Sequence, residues 1–129
     1  METLYIEATK ATPEVNFNPD TRTLSIKGQS YPENAFKYFE PLIKWLDEFV
    51  RQVKDGEKTQ LELSLPYINT SSSKCIMMIL EKSEEAVEKG KNIVVNWFYD
   101  EENESELECA MEFKEFADLE FNIIPNRQI

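Results

Sequence analysis

Ala35, Phe39, Leu42, Leu46, Phe49 and Val53 recur at 4-3-4-3-4 spacing, a stripe that only an α-helix gathers on one side. Stretches with a strand's two-residue period flank it. Residues 4–8, 14–18 and 23–27 read as strands before it, with Val15, Phe17, Leu24 and Ile26 as the apolar face. Asn18-Pro19-Asp20-Thr21 joins the second to the third, its proline preset for a type I turn. Residues 61–67, 93–99 and 120–124 read as strands after it, separated by helices over 75–89 and beyond the acidic run that starts at Asp100. The order βββαβαβαβ implies a single α/β domain over residues 1–129, with a mixed sheet of five to six strands and about three main helices.

Local signals set expectations for each helix. Ser30, Pro32 and Glu33 look like a capping box opening the first, and Pro41 predicts a kink or two abutting helices. Asp55-Gly56 ends it. The second has Ile76, Ile79, Leu80, Ser83 and Val87 as its stripe and Gly90 as its stop. The third holds Leu107, Ala110, Met111, Phe113 and Phe116. The nearly continuous apolar run 93–99 suits a central strand covered on both faces.

Composition excludes several functions. A net charge of −11, with fourteen scattered basic residues, leaves no stripe for nucleic acid or an anionic membrane. No segment has the roughly 20 apolar residues that span a bilayer, and Met1-Glu2-Thr3-Leu4 lacks the pattern of a signal peptide. Cys75 and Cys109 therefore read as reduced thiols of a cytoplasmic protein. The chain has no histidine, which removes Ser-His-Asp and Cys-His chemistry and the commonest zinc ligand. With only Gly28, Gly56 and Gly90, neither glycine-rich phosphate motif exists. No cofactor or metal site is expected.

The chemistry-bearing stretch is Asn69-Thr70-Ser71-Ser72-Ser73-Lys74, at a strand-to-helix junction. Asn, Ser and Thr are preferred helix caps, yet one cap suffices and here there are five candidates. A hydroxyl there also suits phosphorylation, because the helix start favours a dianion. The modification adds about −1.5 to −2 charges, and Lys74 stands four residues after Thr70 to pair with it. Ser71 and Lys74 also fit S-x-x-K, which allows a small Ser-Lys hydrolase, although S-D-N and K-T-G are missing. Asp100 to Glu108, six acidic residues in nine, read as a solvated helix start or as the docking loop of a constitutive acidic adaptor. Tyr38 and Trp45 lie beside the first stripe, either packed under neighbouring loops or forming an aromatic partner surface.

Four segments together resemble the SiaC family of bacterial regulatory phosphoproteins. They are Ala11-Thr12-Pro13-Glu14-Val15-Asn16-Phe17, Ser30-Tyr31-Pro32-Glu33-Asn34-Ala35, Asn69-Thr70-Ser71-Ser72-Ser73-Lys74 and Val95-Asn96-Trp97-Phe98-Tyr99-Asp100. The resemblance implies a fold like the STAS domains of anti-sigma-factor antagonists, and a partner switch in place of an enzyme. It implies phosphorylation of Thr70, with Ser71 next, by a protein kinase, and reversal by a PP2C-like phosphatase. Asn69, Ser71, Ser72, Ser73 and Lys74 would form the phosphosite and its partner contact. The dephosphorylated form would activate a diguanylate cyclase, raising cyclic-di-GMP and favouring aggregates or biofilm.

Overall fold

A computed structural model describes residues 1–126. Its elements are β1 (Leu4–Ile6), β2 (Glu14–Asn18), β3 (Thr23–Lys27), α1 (Ala35–Gln52), β4 (Lys58–Ser64), α2 (Thr70–Glu88), β5 (Asn92–Asp100), α3 (Glu104–Phe116) and β6 (Phe121–Asn126). The expected order holds. One six-stranded sheet runs β1-β2-β3-β4-β5-β6, antiparallel between β1 and β3 and parallel from β3 to β6.

The parallel strands step across the sheet in one direction, so crossovers of one hand place α1, α2 and α3 on the same face. Register fixes what they cover. Phe17 pairs with Leu24, Leu24 with Leu61, Leu61 with Val95 and Val95 with Phe121, all buried in one core. Trp97, fully buried, stacks with the rings of Phe113 on α3 and Phe121 on β6, with centroids 4.9 and 6.1 Å away. The opposite face carries Asn16, Gln60, Glu62, Asn96 and Asn122. Asn96 donates to Gln60 and accepts from Asn122 there. Strand β5 is covered on both faces as its apolar run suggests: Val95 and Trp97 are buried on the helix side, and Val94 and Asn96 are buried on the other.

Several boundaries move for identifiable reasons. Asn34, not Ser30, caps α1, its Oδ1 accepting from the Lys37 N–H at 3.0 Å. Ser30 is unavailable, being paired with Ile68 in a parallel bridge and fully buried. Helix α1 continues unbroken through Pro41. Pro41 and Lys37, whose carbonyl loses its partner, are both exposed, so water can meet that carbonyl. Strand β4 lies at 58–64 instead of 61–67, because its ladder on β3 ends at Lys27–Ser64, where Gly28 turns away with φ +128°. Helix α2 begins five residues earlier than expected, and Ala86 replaces Val87 on its buried side. Gly90 does stop it, at φ +102°. Helix α3 holds Met111 and Phe116 as expected, and both are exposed. Strand β6 runs on through Pro125, which an edge strand tolerates.

Candidate functional site

Helix α2 starts beyond the C-terminal end of β4, the end of a parallel sheet where ligands commonly bind. Three of the four motif segments meet there. The Ser30 N–H donates to the Tyr67 carbonyl at 2.8 Å, Asn69 N–H to the Ser30 carbonyl at 3.0 Å, and Tyr31 N–H to the Ala11 carbonyl at 2.8 Å. Tyr38 extends the tie, its hydroxyl donating to the Pro13 carbonyl at 2.8 Å. The fourth segment ends at Asp100, on the same end of the adjoining strand β5.

The helix start sorts its hydroxyls. Asn69 is the one cap, its Oδ1 accepting from the Ser72 N–H at 2.9 Å and its carbonyl accepting from the Ser73 N–H at 2.9 Å. Thr70 to Ser73 are consequently the first turn, not a row of caps. Ser72 is fully buried, its hydroxyl accepting from that of Ser30 at 2.8 Å. Ser73 is half-buried. Thr70 and Ser71 are exposed, as is Lys74, one turn after Thr70 on the same face. The N–H groups of Thr70 and Ser71 have no carbonyl behind them within the helix, so the dipole's positive end is open beside the Thr70 hydroxyl. Tyr67 is 54% exposed and meets Tyr31 edge-on at 5.8 Å, framing this surface with an aromatic pair.

The other candidate residues take different places. Ser71 Oγ donates to Asn69 Oδ1 at 3.4 Å, and no hydrogen bond joins it to Lys74 among the described residues. The nearest thiol in sequence, Cys75, is buried, and burial pushes its pKa up, so it stays protonated. Tyr38 and Trp45 are half-buried, and the polar end of each donates to a backbone carbonyl. Trp45 Nε1 donates to the Glu2 carbonyl at 2.9 Å, with its ring stacked on Phe49 at 5.1 Å. They pin the N-terminal segment to α1. The acidic run turns into α3 under the cap of Asn103, and buried Glu106 accepts from the Asp100 N–H at 3.3 Å. Among the described residues no three His, Cys, Asp or Glu side chains are grouped to hold a metal, and no helix is long and apolar enough to cross a membrane. The role of Ser30 was not legible: its Ser-x-x-Glu context resembles a cap, and nothing local reveals a hydroxyl partner 42 residues away.

Comparison with known proteins places this geometry in context. Residues 6–126 match the model of the SiaC family, described as regulatory phosphoproteins. An uncharacterized protein of Pseudomonas aeruginosa (strain UCBPP-PA14) is 39% identical over 124 residues, 95% of this chain and 96% of that one. The crystal structure of apo-SiaC from Pseudomonas aeruginosa superposes with a TM-score of 0.88 at 37% identity, covering 96% of this chain and 99% of that one. A chain of the crystal structure of the diguanylate cyclase SiaD in complex with its activator SiaC, from the same organism, gives 0.89 at 36% identity, covering 95% and 99%.

Proposed function

The chain belongs to the SiaC family of regulatory phosphoproteins, and from that premise we propose that it is a partner switch controlled by phosphorylation of Thr70. The dephosphorylated form binds and activates a diguanylate cyclase, raising cyclic-di-GMP and favouring aggregation or biofilm. One observation carries the reading: Thr70 is an exposed hydroxyl on the first turn of a capped helix, in a surface framed by Tyr67, Ser71 and Lys74. A kinase can reach it without unfolding anything. The dianion it adds is held by the open end of the helix and by Lys74, while changing what a docking protein meets.

The protein is acted upon by a kinase and a PP2C-like phosphatase and carries out no chemistry of its own. Free cysteines 75 and 109 suit a reducing compartment, and the proposal places the protein in the cytoplasm. The test measures binding and activation of the cognate cyclase by Thr70→Ala, Thr70→Asp and Ser71→Ala. Thr70→Ala and Ser71→Ala should act as the unphosphorylated protein, and Thr70→Asp should bind at least about tenfold more weakly. Equal binding by all variants, and by protein phosphorylated to completion, would sink the switch.

A further inference from the structure

The helical layer stops before the sheet does. Helix α3 is its last member, and beyond it, over edge strand β6, lies an open groove of about 630 Å³ lined by Tyr99, Leu107, Met111, Lys114, Glu115 and Ile123. Leu107 and Met111 stand one turn apart on α3. Met111 is 54% exposed, and Ile123, on the helix-facing side of β6, is only half-buried. The groove's own lining carries one cation and one anion, Lys114 and Glu115, but the chain around it is strongly acidic. Residues 100–120 hold ten carboxylates against the single cation Lys114, so −9 of the chain's net −11 is concentrated on α3 and its flanks.

We propose that this groove docks a cationic amphipathic helix of a partner protein, laid beside α3 as the fourth member of the layer. Its apolar side would cover Leu107, Met111 and Ile123, and its lysines or arginines would face the α3 carboxylates. A second copy is a poor occupant, because two such acidic faces repel. An added strand is disfavoured too: Pro125 removes a donor from β6, and the groove sits above the sheet instead of in line with it. The surface belongs to α3, β6 and the Tyr99 end of β5, and none of its lining residues is in the Thr70 turn on α2, so docking there should not require a change in phosphorylation.

The test uses a designed peptide of about 18 residues, with leucines at i, i+3, i+4 and i+7 spacing and lysines opposite, titrated into isotope-labelled protein and followed by NMR. Amide shifts should centre on Leu107, Met111 and Ile123, and persist in about 0.5 M salt, where charge attraction alone is screened. Met111→Asp should weaken binding by about tenfold or more, although its extra negative charge would strengthen a purely electrostatic contact. Thr70→Asp should bind as wild type, and a glutamate-for-lysine peptide should not bind. Unchanged or tighter binding by Met111→Asp would overturn the proposal, as would shifts scattered over other acidic residues. So would new amide protection along β6 from an extended peptide, or self-association of the protein through the groove.

Discussion

The hydroxyls of Ser30 and Ser72 meet at 2.8 Å, both fully buried, and join the loop before α1 to the first turn of α2. With the Ser30–Ile68 bridge beside it, this contact fixes where α2 begins and hence where Thr70 emerges. At the junction two small hydroxyls pair in a space too dry to leave either alone.

Replacing one of the pair should therefore cost more than a methyl-sized change suggests. Ser72→Ala leaves the Ser30 hydroxyl buried and unpartnered, a loss of about 1–3 kcal/mol. Ser30→Ala plus Ser72→Ala should cost less than the two single changes together. Urea unfolding of the four proteins measures the coupling, and strict additivity would show that the bond matters little.

Asn69 supports the same turn from outside. Asn69→Ala removes the acceptor of the Ser72 N–H and should destabilise by about 0.5–2 kcal/mol, whereas Asn69→Asp should retain most of the wild-type stability. Thermal unfolding at neutral pH distinguishes them.

Thr59 is a site open to improvement. Its side chain is fully buried on the core side of β4, and its hydroxyl has no hydrogen-bond partner among the described residues. Thr59→Val keeps the shape and β-branching and removes the orphan, so it should stabilise by about 1 kcal/mol. A denaturant midpoint that falls would show that the hydroxyl has a partner in solution.

Burial pushes the Tyr38 hydroxyl from 10.0 to about 12. The folded protein thus holds this proton more tightly than the unfolded chain does. The stability it contributes is complete below pH 10 and is lost as pH rises through about 12. Tyr38→Phe should be less stable than wild type at neutral pH, by about 0.5–1.5 kcal/mol for the bond to Pro13. The difference should shrink on alkaline titration. The Cys75 and Cys109 thiols, also pushed up by burial, are common to both proteins and cancel.

Features carried by neighbouring residues were legible in the sequence. The stripe of Phe39, Leu42, Leu46 and Phe49 became the buried side of α1, and Gly90 took up the positive φ that ended α2. Errors arose where two local readings competed. Ser30 fitted a cap, but its hydroxyl was taken by Ser72; Pro41 fitted a break, but its exposed side of the helix absorbed the missing bond. Met111 and Phe116 belong to the third helix as expected, but α3 lies at the rim of the layer, and among the described residues both stay exposed.

The order of strands and helices, the candidate turn at 69–74 and the class of protein were determined by the chain itself, because periodicity, backbone freedom and motif order are properties of adjacent residues. Which hydroxyl of that turn faces solvent was decided only by the tertiary structure. Thr70 and Ser72 are two residues apart and chemically alike. One projects into water and the other into the core, because Ser30, far along the chain, closes over only one side of the helix.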